Sequence, residues 1–277
     1  MRQSIGHLQN LHTHTTYCDG TLSAEEMVFA AISKGGSSLG FSEHSYVKFD
    51  EQYSMMPCDT PKYIDEINKL KQKYLAKIEI YLGLEYDYFT ERDMVPEGLD
   101  YIIGTVHHIE KDGKYITIDT TFEKMEKIRD EEFGGDIYAV AEAYYSTIAK
   151  LTSRIKPDII GHFDIIAKLN DDGKLFDETN PGYIKAATSA MEQILDCCKI
   201  FEVSSGSMYR KGNTVPYPSE LLLKELHKRG GEVLLSSDSH DAGSLYYKFD
   251  EMLELVKACG FTHIKRLTKD GFKDEWL

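Results

Sequence analysis

Short apolar runs bounded by turn residues alternate along this chain with stretches whose apolar positions recur every three or four residues. Leu8 to Leu11 reads as a strand. Ser23-Ala24-Glu25-Glu26 then forms a capping box, followed by apolar Met27, Ala30, Ala31 and Ile32 and closed by Gly35-Gly36, which predicts a helix. Ser38 to Ser42 reads as a buried strand that ends in Glu43-His44-Ser45. Strand, helix and strand within about 35 residues is the βαβ signature of a parallel sheet.

The alternation continues. A helix is predicted from Pro61 to Lys77, with Tyr63, Ile67, Leu70 and Tyr74 on one stripe, feeding a strand from Ile78 to Glu85. Asp100 to Val106 reads as the next strand and runs into His107-His108. Residues 111 to 135 are the least patterned and are expected to form an excursion over a barrel mouth. A long helix from Ile137 to Ile155 precedes a strand over Pro157 to Gly161 that ends in His162. Asn180-Pro181 starts a helix running to Cys198, with Asn as N-cap and Pro at the first helical position. Ile200 to Val203 is a sixth strand, leading into Ser204-Ser205-Gly206. A helix from Ser219 to Arg229 stops at Gly230-Gly231, and Val233 to Ser237 delivers Asp238-Ser239-His240. An amphipathic helix (Phe249 to Cys259) and a short strand (His263 to Arg266) complete the pattern. Seven strands, nearly all followed by a helix, predict an α/β fold: a distorted (β/α)7 TIM-like barrel. With no repeat and no linker-like tract, one domain over 1–277 is expected. An open dinucleotide-binding sheet fits poorly, because no G-x-G-x-x-G follows the first strand.

Composition narrows this picture. A hydrophobic fraction of 42% supports a sizeable core, and a net charge of −14 weighs against a nucleic-acid surface. It does not weigh against a small phosphate ester, because bound metal ions make one pocket locally positive. Cys18, Cys58, Cys197, Cys198 and Cys259 are odd in number and lack C-x-x-C spacing, which suits a reducing cytosol. Cys18 is read as a small buried thiol. No basic-then-apolar leader opens the chain and no apolar run approaches the ~20 residues of a membrane span, so a soluble cytoplasmic protein without membrane contact is expected.

The candidate chemistry lies at the strand ends. His12 and His14, two apart in extended chain, share a face, and Asp19 follows on the next loop. In a parallel barrel every C-terminal strand end opens on one rim. Those ends carry His12, His14, Asp19, His44, Glu85, His107, His162, Asp238 and His240. His7, His108, His227 and His263 are left to structural roles, with His108 the one expected to approach substrate. Histidine and carboxylate without cysteine suits Zn, Mn or Fe(II). Nine ligands exceed one ion's need, so two or three divalent ions are implied. Glu85 and Asp238 are the expected bridges, since a carboxylate has two oxygens to share. Three such ions would carry more charge than Asp19, Glu85 and Asp238 neutralise, which suits a bridging hydroxide and an anionic substrate. The chemistry expected of these three carboxylates and their ions is hydrolysis of a phosphate ester.

His12-Thr13-His14-Thr15, Glu43-His44, Gly83-Leu84-Glu85, Gly104-Thr105-Val106-His107, Gly161-His162-Phe163-Asp164 and Asp238-Ser239-His240 resemble the motifs of the polymerase and histidinol phosphatase (PHP) superfamily. The resemblance spans residues 12 to 240. The doubled His107-His108 and the closing Asp-Ser-His make it more similar to the histidinol-phosphate phosphatases of bacterial histidine biosynthesis than to the nuclease branch. It implies a distorted (β/α)7 barrel, a trinuclear site held by the same nine residues, and L-histidinol phosphate as the small-molecule partner, hydrolysed to L-histidinol and phosphate. Arg210, in the basic loop after strand six, is expected to grip the phosphate, with Lys168 a second cation. Asp164 is the carboxylate expected near the substrate's ammonium and imidazole. Two other readings stand beside this one: a phosphoesterase acting on nucleotides or oligonucleotide ends, and a metal-binding domain without turnover.

Overall fold

Two-residue alternation decides which side chains face the inside of the barrel in the computed structural model, which describes residues 7–170 and 173–277. The remaining positions of the expected 1–277 domain, 1–6 and 171–172, lie outside the described residues. In chain order come β1 (Gln9–Asn10), α1 (Ala24–Ser33), β2 (Ser38–Phe41), α2 (Thr60–Tyr74), β3 (Glu79–Asp87) and β4 (Tyr101–Thr105). A hairpin, β5 (His108–Lys111) and β6 (Lys114–Thr117), leads to α3 (Phe122–Glu132), α4 (Ile137–Ala149) and α5 (Leu151–Arg154). Then follow β7 (Ile159–Ile160), α6 (Pro181–Leu195), β8 (Ile200–Ser204), α7 (Gly206–Lys211), α8 (Glu220–Lys228), β9 (Glu232–Ser236) and α9 (Phe249–Ala258). A second hairpin, β10 (His263–Thr268) and β11 (Gly271–Trp276), ends the chain.

Seven strands form one parallel sheet in the order β1-β2-β3-β4-β7-β8-β9. The seam between its first and last strands is drawn together by a parallel bridge from Thr13 to Ser239. There His14 N donates to Ser239 O at 2.8 Å and Ser239 N to His12 O at 2.9 Å. The buried Asn10 side chain reinforces the seam by accepting the Ser237 amide at 2.9 Å. The result is the nearly closed, distorted seven-stranded barrel, with helices outside.

The lower half of the barrel interior is apolar: Leu11, Tyr81, Tyr101, Ile103, Ile159, Ile200 and Leu234 form one cluster. Leu267 of β10 joins it from the C-terminal hairpin, and Gln9 locks it there by bonding both Leu267 N and Leu267 O. The terminal strand expected near residues 263–266 is therefore half of a floor plug outside the barrel sheet. Burying Leu267 contributes roughly 1.5–3 kcal/mol. Tyr101 fits because its neighbours lack side chains. A Cβ on Gly83 would lie 2.3 Å from the Tyr101 ring, and one on Gly40 would lie 2.4 Å from its hydroxyl. Higher up, the same inward faces turn polar, carrying Glu85 and Asp87 on β3, Thr105 on β4, Glu202 on β8 and Ser236 on β9. Outward positions such as Leu82, Leu84, Phe201 and Val203 pack against the helices.

Local signals match the helix starts. Ser23 and Glu26 complete the reciprocal capping box, with Glu26 Oε2 accepting the Ser23 amide at 2.9 Å. Asn180 Oδ1 caps α6 by accepting the Gly182 amide at 2.8 Å. The single helix expected over 137–155 is instead two, broken at Lys150. Near the break Thr147 donates its hydroxyl back to Ala143 O, a pattern that bends helices. The poorly patterned stretch 111–135 is ordered as β5–β6 and α3. Its hairpin turns at Asp112-Gly113, both at positive φ, the geometry a two-residue I′ turn requires. Among the described residues no helix is long and apolar enough to cross a membrane.

Candidate metal centre

The inward face of β3 carries Glu85 to the centre of the rim, where five histidines converge on it. His44 Nδ1 lies 2.6 Å from its carboxylate, His162 Nε2 2.9 Å, His12 Nε2 3.3 Å, and His14 Nε2 and His107 Nε2 3.4 Å each. Asp238 closes the other side, 3.3 Å from His14 Nε2 and 3.6 Å from His12 Nε2 and His240 Nδ1. Its backbone is at φ +44°, a left-handed conformation that aspartate tolerates better than most residues. Asp19 bridges the outer histidines, 3.2 Å from His240 Nε2 and 3.5 Å from His44 Nε2. All nine residues read from the strand ends are thus brought into one cluster. The Thr13–Ser239 bridge is what sets His12 and His14 beside Asp238 and His240.

The donor set fits divalent cations. The Nε2 atoms of His12 and His14 are buried without a hydrogen-bond partner, 3.3 and 3.4 Å from Glu85 Oε2, a costly state that a cation between them relieves. Ligand atoms of His14, Asp19, His44 and His240 lie within 4.8 Å of one another, as do those of His12, His162 and Asp238, and those of His44, Glu85 and His107. Electrostatics agree. Burial by itself would depress His44, but Glu85 and Asp19 lift it to about 10. His12 behaves likewise: Glu202, Glu85 and Asp238 outweigh its burial and raise it. His14 is pushed down to about 3, first by burial and then by neighbouring His240 and His44. Burial opposes ionisation of Glu85, yet His44, His12 and His107 hold it well below the usual carboxylate range. Protons on His44 and His12 supply positive charge that the clustered carboxylates demand.

A second layer orients the ligands, and sequence reading missed it. Glu202, fully buried, places Oε2 2.8 Å from His12 Nδ1 and accepts the His162 amide at 2.6 Å. Asp87 does the same for His107, with Oδ2 3.0 Å from both its Nδ1 and its amide. Glu43 accepts from Thr15 and from the Cys18 thiol, and Cys18 Sγ also lies 3.4 Å from His14 Nδ1. Cys18 is therefore in contact with a candidate ligand rather than simply packed in the core. Two signals were available: a lone acid inside the apolar Ile200–Val203 run, and an acid two residues beyond Glu85 on the same strand face.

The mouth above the cluster opens into a cavity of about 840 Å³, lined among others by His44, His107, His162, Asp238 and His240. Arg210 and Lys168 both line it. Arg210 already engages Asp238, its Nη2 2.6 Å from Oδ2, and Lys168 pairs with Asp119. His108 also reaches the cavity, its Nε2 3.3 Å from Asp50 and its ring edge-on to Phe49. Asp164 does not. Its buried carboxyl turns away to accept the Ser219 amide at 2.9 Å, and burial raises it to about 7. The expectation that it meets substrate is corrected on that geometry. Asp119, between β6 and α3, is among the acids that do line the mouth. Of the other histidines, His227 packs on Phe261 and His263 on Trp276.

Comparison with known proteins agrees with this architecture. The PHP domain family model matches residues 10–205. The chain is 27% identical to the histidinol-phosphatase of Bacillus subtilis (strain 168), covering 88% of this chain and 97% of that protein. It superimposes with a TM-score of 0.75 on hisK from Listeria monocytogenes, at 20% identity over 88% of this chain and 99% of the other. With histidinol phosphate phosphatase from Lactococcus lactis subsp. lactis Il1403, crystallised with Zn, L-histidinol and phosphate, the TM-score is 0.71 at 19% identity over 96% and 98%. Barrel topology, strand-end motifs and a family match across most of the chain agree: this protein belongs to the PHP domain family.

Proposed function

We propose that this protein is a metal-dependent phosphomonoesterase that hydrolyses L-histidinol phosphate to L-histidinol and phosphate, a step of histidine biosynthesis. The observation that carries the reading is the pair of buried, unpartnered nitrogens, His12 Nε2 and His14 Nε2, grouped with Glu85 inside a cage of nine histidine and carboxylate side chains. The names of its relatives, and the L-histidinol and phosphate bound by the Lactococcus protein, support the substrate. The ligands are His12, His14, Asp19, His44, Glu85, His107, His162, Asp238 and His240. They suit two or three ions of Zn, Mn or Fe(II). Such ions supply Lewis acidity and lower the pKa of water.

The chain's own groups do the rest. Glu202 holds a proton on His12 Nδ1 and Asp87 holds one on His107 Nδ1, so each ring keeps its Nε2 lone pair aimed at the centre. Glu85 and Asp238 have oxygens facing several histidines at once, as bridging ligands require. Arg210 presents a planar fork at the rim and Lys168 a point charge, both able to grip a phosphate dianion. The five cysteines are all free thiols, in keeping with a cytoplasmic enzyme. The test is phosphate release from L-histidinol phosphate by protein reconstituted with Zn, Mn or Fe(II), with elemental analysis alongside. The expected result is turnover that chelation abolishes and metal restores. Metal-loaded protein that released no phosphate from this ester, or that degraded single-stranded DNA at a comparable rate, would overturn the assignment.

A further inference from the structure

Phosphate and ammonium in an aminoalkyl phosphate such as L-histidinol phosphate are joined by two carbons and the ester oxygen. They cannot reach separate regions of a cavity, so their counter-charges must be neighbours. At the mouth of this barrel a cation and an anion are already in contact: the Lys168 ammonium donates to Asp119 Oδ1. Both line the cavity. Lys168 is brought by the loop after β7, and Asp119 by the excursion between β6 and α3. Other carboxylates lining that cavity are engaged differently. Asp19 and Asp238 face the histidine cluster, Asp87 holds His107, Asp50 faces His108, Glu132 pairs with Lys114 and Glu131 lies 3.8 Å from Lys127. Asp164 accepts the Ser219 amide and does not line the cavity.

We propose that Asp119 selects aminoalkyl phosphates: as substrate enters, Lys168 passes from Asp119 to the phosphate, and Asp119 takes the substrate ammonium in its place. The inference rests on the phosphatase reading above and names the group that makes it specific. Electrostatics support an anionic Asp119 in that role. Burial works against its ionisation, and Lys168, then His107 and Arg210, outweigh it. The exchange leaves neither group unpaired: Lys168 and Asp119 pair with each other before substrate enters, and with its phosphate and its ammonium once it is bound. A simple ester without the amine would still draw Lys168 away and would leave Asp119 without a partner, which counts against it.

The test compares kcat/KM for L-histidinol phosphate with that for its deamino counterpart, 3-(imidazol-4-yl)propyl phosphate. In Asp119→Asn, of equal size, the preference for the amino ester is expected to fall about 10- to 100-fold, the loss of one charge-assisted bond. Lys168→Met is expected to lower both substrates together, because it acts on the phosphate they share. Asp119→Glu, which restores the charge, should recover part of the preference and shows that loss in Asp119→Asn is not misfolding. An unchanged preference in Asp119→Asn, with both esters slowed equally or neither slowed, overturns the proposal: Asp119 would then only hold Lys168. If metal-loaded wild type turned over neither ester, the phosphatase reading would fail by itself. Asp119 is then judged by calorimetry with the two esters themselves, which in that case bind without being consumed. Tighter binding of the amine, lost in Asp119→Asn, supports the site, and equal affinities overturn it.

Discussion

Glu202, midway along β8, sets a carboxylate oxygen 2.8 Å from Nδ1 of His12, and with its other oxygen accepts the His162 amide at 2.6 Å. One buried acid thus fixes the ring of one candidate ligand and the backbone of another. Ser236 Oγ adds a third bond, at 2.8 Å, to the oxygen that faces His12. Glu202→Gln keeps the size but presents an amide where His12 needs an acceptor. Outer-shell changes of this kind typically lower metal affinity about 10- to 100-fold. Titration against a competing chelator should show that loss with the far-UV spectrum unchanged; wild-type affinity would mean that Glu202 does not orient His12.

His12 touches both bridging candidates through one nitrogen, 3.3 Å from Glu85 and 3.6 Å from Asp238. His12→Ala should therefore cost more than the outer-shell variant, with kcat/KM down at least about 100-fold and metal content reduced. Activity at the wild-type level in a folded, metal-counted sample would remove the catalytic cage.

Cation binding should release protons. Glu85 and Asp19 outweigh burial and lift His44 to about 10, and His12 is raised by Glu202, Glu85 and Asp238, so both carry protons near neutrality in the metal-free protein. A cation must displace them, so affinity is expected to rise with pH from about 6 to 9 and to weaken on acidification. Calorimetry near pH 7.5 in two buffers of different ionisation enthalpy reads the protons directly. Net proton uptake, or no dependence on buffer, would contradict this account.

Gly83 lies beneath the site and against Tyr101. The Cβ of an alanine there would sit 2.3 Å from a fully buried ring that has nowhere to move, so Gly83→Ala should destabilise by about 1–3 kcal/mol through overpacking. Because Glu85 is two residues along the same strand face, metal affinity should fall as well. Denaturant midpoints and metal titrations check both halves, and a wild-type midpoint would show that the floor yields.

Much of this protein is legible in one dimension, because the information is local. Apolar periodicity, the Ser23/Glu26 box and the Asn180-Pro181 start depend on neighbours within a turn or two, and they marked helices within a few residues of their ends. A parallel barrel gathers its strand ends on one rim, so the nine candidate ligands could be read from where strands stop. The excursion could have been read further, since Lys111-Asp112-Gly113-Lys114 carries the Asp-Gly pair of a tight hairpin.

Other features depend on contacts between residues far apart in the chain, and only the folded molecule decided them. Glu202 and His12 are 190 positions apart, and Asp119 and Lys168 are 49 apart. Neither pairing follows from spacing, because the order of strands in the sheet sets which strand or loop lies beside which. Asp164 shows the converse. It sits beside His162 in the chain, but the turn after β7 directs its carboxyl to Ser219 rather than to the mouth. Periodicity determined that this chain makes strands and helices in alternation and which residue types end each strand. Barrel closure at Thr13 and Ser239 determined which of those residues meet, because a buried carboxylate is tolerable only where the rest of the fold brings it a partner.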